Sequence, residues 1–388
     1  MAEDVVKFVA NKLVGPSSQT LRVSLMKPTN SIILCLLLSL TMPTVGQECG
    51  KWISVPWKIA SSNNELKARE FVNGDIAVRA KLAVNPDGAL YSYTKGDSGF
   101  TYINNGLNLI ENGAIRKCSD KQFEKLCLKE FKDAEDRDFK PGTSEFCVFA
   151  MEVQEFAPNI PRQNCGNDKS KWIVGNGKGR LRTLGPYPSA IDGQFVVPYK
   201  SQTSLKHRLD GTSPAKFDYL DSVTIPTVVY PLDLKIKGQM VWAQNPVNRL
   251  SVIAVAGDQG PAFGEGSIAM HQLLASGKLT KQLPGPIYAS DRCKSSEKNL
   301  SHPFVSRPDK PGDSCIAAKN QLKEKTDIRA RSELHNINFV ILRNGKYENA
   351  DSGTVQETIS IEALNKRFLA NNYTETEMLK RIACLDQP

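Results

Sequence analysis

Leu250 to Ala256 reads LSVIAVA, a run rich in apolar and β-branched residues with no polar alternation. A half-buried strand alternates, whereas a strand covered on both faces does not. This run therefore predicts a central strand with apolar layers on either side, and it limits the chain to folds that offer such a position. Other segments have strand character too. DIAVRAKL (75–82) alternates, ALYSY (89–93) resumes an extended pattern after the turn Asn85-Pro86-Asp87-Gly88, and Phe195–Tyr199, Val223–Leu232 and Met240–Ala243 are short and apolar. Pro226 and Pro231 predict an edge or bulge for the segment that carries them. Short strands divided by Gly/Pro turns make a mainly β fold, a barrel or a sandwich, with a double-psi type of barrel as the specific expectation.

Helical spacing is confined to a few places: KQFEKLCLKEFKDAEDRD (121–138), Ser267–Ser276, Ala317–Lys325 and Ile361–Leu385 as one broken or two short helices. Residues 294–315 are polar and Pro-rich, a surface loop that Cys293 and Cys315 can staple. The sequence divides into a leading segment, 1–46, and one domain, 47–388. That domain carries a cysteine-bearing insertion around 113–190 and a C-terminal extension around 290–388.

Met26 and Lys27, the apolar stretch Ile32–Leu40 and the small residues Thr44 and Gly46 have the order of a secretory signal peptide, residues 26–46, cleaved near Gln47 with Met26 as the start. The apolar run falls short of the roughly 20 residues that a bilayer requires, so no stable membrane insertion is expected. Beyond Cys35 the chain holds eight cysteines, Cys49, Cys118, Cys127, Cys147, Cys165, Cys293, Cys315 and Cys384. An even count suits disulfides in an oxidising compartment, secreted or periplasmic. None of their spacings is C-x-x-C and the four histidines are scattered, which argues against a structural zinc site. Net charge is +9, and +7 without the first 46 residues. The basic residues form no run interleaved with aromatics, so nucleic acid is not an expected partner.

The chemistry concentrates in GDQGPAFGEGSIAMHQLL (257–274). Asp258 follows the apolar strand and Glu265 precedes a helix, across a turn made tight by Gly257, Gly260 and Pro261. Two carboxylates on rigid elements are the minimum equipment for acid/base hydrolysis of a glycosidic bond. A helix N-terminus favours an ionised Glu265 and burial a protonated one, so the pattern leaves the roles of acid and base open. The plainer alternative has Glu265 and Ser267 capping a helix and Asp258 a turn. No Walker Gly-Lys-Ser/Thr is present to cradle phosphate.

The blocks FVVPYKSQTSL (195–205), YLDSVTIPTVVYPL (219–232), SVIAVAGDQGP (251–261) and FGEGSIAMHQLL (263–274), with NPDGALYSYTKGDSGFTYINNGLN (85–108) upstream, resemble glycoside hydrolase family 75, the fungal and bacterial chitosanases. The resemblance covers about half of residues 47–388. It implies a secreted endo-acting hydrolase of chitosan or a related amino-sugar polymer, acting by inversion. Asp258 and Glu265 would be its catalytic pair, with no metal or organic cofactor. Lys200, Thr203, Asp221, Ser267, Asp87 and Tyr91 are the expected substrate contacts, and Ser201, Trp172 and Trp242 further candidates. Asp87, Asp192, Asp218 and Asp221 would make the groove acidic. The turn between the two acids is a couple of residues shorter than is typical of that family. Peptidoglycan is the alternative polymer, and a binding or effector protein on the same scaffold the non-enzymatic alternative.

Overall fold

The computed structural model describes residues 49–55, 66–97, 99, 101–188, 195–260, 263–279 and 334–388. The signal segment, Asp192, the helix expected at 317–325 and the loop between Cys293 and Cys315 lie outside them.

The protein is mainly β, and its centre is a closed six-stranded barrel. The barrel strands are Ile76–Val84 (β1), Thr227–Pro231 (β2), Met240–Gln244 (β3), Ser251–Gly260 (β4), Glu265–Gly266 (β5) and Leu334–Leu342 (β6). Around the barrel they run β1-β5-β2-β4-β3-β6, and β6 closes onto β1. Two pairs are parallel, β2 with β4 and β5 with β1; the rest are antiparallel. A hairpin of Lys51–Val55 and Leu66–Glu70 is added to β1.

β4 has the double-sided burial that its sequence predicts. Val252, Ala254 and Ala256 enter a core with Val78, Val228, Val241 and Phe339. Ile253 and Val255 enter a second core with Trp242, Val340 and Leu364. That outer core is roofed by two helices, α3 (Ile361–Ala370) and α4 (Glu375–Ala383). Each lays an i, i+4 apolar pair inward, Leu364 with Phe368 and Met378 with Ile382. Ser360 and Thr374 cap them by accepting from Ala363 N and Glu377 N.

Two expectations are corrected and one is narrowed. Of the edge or bulge expected at β2, the bulge is found: the strand pairs on both sides, a closed barrel has no edge, and its register with β4 shifts between Val228 and Val229. Its prolines stand just before the strand and at its last position, where a missing N–H disturbs the ladder least. Residues 89–93 make successive turns instead of a strand, with Ala89 N bonding Pro86 O and Ser92 N bonding Ala89 O. The extended pattern of 195–199 shortens to Phe195–Val196.

The insertion has a core of its own. The helix Lys121–Asp136 (α1) packs Phe131 and Ala134 against Leu109, Phe146 and Val174 of a five-stranded sheet. Disulfides Cys118–Cys127 and Cys147–Cys165 fasten this unit, and Cys49–Cys384 joins the chain just ahead of the strand Lys51–Val55 to the end of α4.

Candidate active site

The barrel register brings the two acids together. Val229 of β2 pairs with Asp258 of β4 on one side and with Glu265 of β5 on the other. A register shift falls on β4 at this level: Val228 pairs with Ala256 and Val229 with Asp258, which leaves Gly257 as the extra residue of a β-bulge. Strict alternation would send Asp258 to the inner core with Ala254 and Ala256. The bulge re-aims it to the face of Val229, the face that Glu265 shares.

Glu265 is held by its neighbours. It pairs with Ala83 of β1, Ala83 N donates to Gly264 O, and Asn85 N donates to Gly266 O. The helix Ile268–Ser276 (α2) starts after Ser267, whose hydroxyl accepts from Met270 N and Thr227 N and donates to Ile225 O. Ser267 is thus the cap, and Glu265 lies on a strand ahead of it. Gly277, at φ 73°, ends the helix as expected.

Asp258 is 8% exposed and its carboxylate is well supplied with donors. Asn85 Nδ2 donates to Oδ2 at 2.9 Å, Ser204 N donates to Oδ1 at 3.0 Å, and Gln259 N also donates. Burial pushes Asp258 up to about 6 against these bonds, which favour the ionised form. Burial and then the charge of Asp258 push Glu265 up to about 7. The asymmetry separates their capacities: Asp258 is built to be a carboxylate and Glu265 to keep a proton in its presence.

Asp87 joins them as a third acid. Its backbone N donates to Asn85 Oδ1, so one asparagine holds both Asp87 and Asp258. Burial, and after it the charge of Asp258, raises Asp87 well above the usual carboxylate range, while hydroxyls of Tyr93 and Ser201 act to lower it.

The other expected contacts divide. Ser201 lies beside Asp87, its hydroxyl accepting from Gly88 N. Thr203 donates to Leu205 O and accepts from Leu220 N, so its hydroxyl is engaged within the fold. Asp221 closes a turn, accepting from Val223 N and the Thr224 hydroxyl. Lys200 Nζ stands 2.6 Å from Asp218 and 3.8 Å from Glu152. Tyr91 and Trp242 are buried, Trp242 within the outer core, and Trp172 carries the Arg162 guanidinium 4.5 Å above its ring. Asn85 and Ser204, which grip Asp258, were not singled out by sequence. Asn85 stands in a turn motif, and nothing local marks an Asn side chain that will reach a strand far along the chain.

Within the insertion, where Lys200 Nζ approaches Glu152, a cavity of about 660 Å³ is lined by Glu152, Glu155, Phe156, Arg162, Arg180 and Arg182 among others. Arg182 pairs with Glu152 at 3.3 Å. Among the described residues, no group of three or more His, Cys, Asp or Glu is arranged to hold a metal ion, and no helix is long and apolar enough to cross a membrane. The chain matches no protein-family model and no curated protein.

Proposed function

We propose that the protein is a secreted, endo-acting glycoside hydrolase of an amino-sugar polysaccharide such as chitosan, with Asp258 as general base and Glu265 as general acid. The observation that carries this reading is their common register with Val229. Two strand spacings of about 4.8 Å put the backbones of the acids roughly 9.5 Å apart on one face. Inverting glycosidases separate their carboxyls by about 6.5–9.5 Å to admit a water, a span within reach of side chains mounted that far apart.

In the reaction, Asp258 takes a proton from a water as its oxygen attacks the anomeric carbon. Glu265 gives its proton to the departing glycosidic oxygen, and configuration inverts. The donors on Asp258 keep it ionised for the first task, and burial keeps Glu265 protonated for the second. The chain's own residues supply both proton transfers. The three disulfides and the signal-like segment accord with export.

A second polymer is suggested by the cavity of the insertion, where three arginines stand with Glu152 and Glu155. Arg162, Arg180 and Arg182 suit carboxylates better than a polycation, and peptidoglycan combines amino sugars with carboxylates. Purified protein incubated with soluble chitosan, chitin oligomers and peptidoglycan tests both readings. New reducing ends, found by mass spectrometry, are expected from at least one of the three. Saturable binding to all three without any cleavage would replace the enzyme with a binding protein on this scaffold.

A further inference from the structure

The hydrolytic reading needs a water fixed against Asp258, and one carboxyl near both acids has an oxygen to offer it. Asp87 Oδ1 is buried with no hydrogen-bond partner. Such an atom is costly to leave empty-handed in a native interior. The turn that carries Asp87 is tied down on all sides: Asp87 N to Asn85 Oδ1 at 2.8 Å, Gly88 N to Ser201 Oγ at 3.0 Å, and Asn85 Nδ2 to Asp258 at 2.9 Å. Gly88 holds φ at +92°, and a Cβ there would come within 2.0 Å of Leu220 O. The backbone is thereby fixed so that Asp87 feels the charges of both Asp258 and Glu265.

We propose that Asp87 positions the attacking water, its partnerless Oδ1 accepting the hydrogen that does not go to Asp258. This rests on the hydrolase reading and adds a residue to it. Burial beside an ionised Asp258 keeps a proton on Asp87, so Asp87 works as a neutral acid with a carbonyl-type acceptor. It neither gains nor loses a proton in the step. The water's oxygen bonds the anomeric carbon as the glycosidic C–O bond breaks, one water hydrogen passes to Asp258, and Glu265 protonates the leaving oxygen. Exchange with solvent then restores the proton on Glu265 and removes the one on Asp258.

A neutral aspartic acid and an asparagine present the same carbonyl acceptor, and the test exploits that identity. In the full-length protein, kcat, KM and the pH profile on a polymer that the wild type cleaves are measured for D87N, D87A and D258N, with melting curves to confirm folding. Carbon-13 carboxyl titrations are followed alongside. D87N is expected to keep kcat within about threefold and both limbs of the profile, and D87A to lose at least about tenfold in kcat at unchanged KM. D87N should also remove one raised carboxyl titration and leave the Asp258 and Glu265 steps in place. A D87N protein as inactive as D258N would show that Asp87 works ionised, and an unimpaired D87A would show that it positions nothing. Either result overturns the assignment while the hydrolase reading stands. A wild-type chain that cleaves none of the three polymers removes the hydrolase reading first, and the water with it.

Discussion

Asp258 and Glu265 are next-but-one neighbours across the barrel wall, each in register with Val229 between them. Their spacing is therefore a property of the sheet and not of the Gly-rich turn that joins them in sequence. Shortening that turn alters the path between the strands without altering the distance across β2. A carboxylate pair mounted on paired strands also resists the small displacements that weaken acid/base catalysis.

The first prediction follows from the two roles. D258N and E265Q should each lower kcat by about 10²–10⁴-fold, the range that a positioned proton-transfer group contributes. E265Q leaves the donors on Asp258 untouched, so substrate binding should persist in that variant. Reducing-end kinetics and a binding titration on the same preparation separate the two effects.

The pH dependence has a definite sign. On the proposed roles, activity requires Asp258 ionised, which holds above about 6, and Glu265 protonated, which holds below about 7. The expected profile of kcat/KM is a narrow bell with its maximum between those values. D258N and E265Q remove the acidic and basic limbs respectively from whatever residual activity they retain. A profile flat from pH 4 to 9 would contradict the assignment of both groups.

Stability should move the other way. Glu265 in the fold titrates near 7, above its ordinary 4.5. The native state thus holds a proton that the unfolded chain releases, so stability falls as pH rises through that window and levels off above about 7. E265Q abolishes the buried charge. It should be more stable than the wild type by on the order of 1–3 kcal/mol at pH 8 and nearly equal to it at pH 5. Thermal melts at the two values check this.

The sequence exposed the parts of this site that depend on short-range pattern. LSVIAVA announced a strand covered on both faces, and Ile253 and Val255 do face one core while Val252, Ala254 and Ala256 face the other. Ser267 and Gly277 announced the ends of α2. What stayed hidden depends on pairing between distant segments. Nothing near Glu265 says that Ala83 and Val229 flank it, and nothing in Asn85-Pro86-Asp87-Gly88 says that the asparagine will hold Asp258. Thr203 and Ser267 read in sequence as substrate contacts, yet their hydroxyls are consumed by backbone partners in the fold, because chain segments cross there and leave N–H and C=O groups to satisfy.

Gly257 is the residue on which the aim of Asp258 depends, and it gives the last prediction. The bulge requires Gly257 to lie flat against its surroundings: a Cβ would come within 2.4 Å of Leu220 Cδ1 and 3.2 Å of Thr227 Cγ2. Leu220 is fully buried and belongs to the outer core, so it has little room to yield. The Gly257 carbonyl also accepts the Ser204 hydroxyl at 3.1 Å, next to the Ser204 N–H that holds Asp258. G257A must therefore displace either Leu220 or the bulge. A displaced Leu220 costs stability alone, about 1–3 kcal/mol for overpacking, with kcat preserved. A displaced bulge tilts Asp258 out of the Val229 register and lowers kcat along with the melting temperature. The Ser204 anchor ties the bulge to the same crowded wall, and the second outcome is expected: a loss of kcat larger than the loss of stability explains, restored in part by L220A, which opens the space that the new methyl needs. Kinetics and melts of G257A, L220A and the double variant form a cycle that reads this coupling directly.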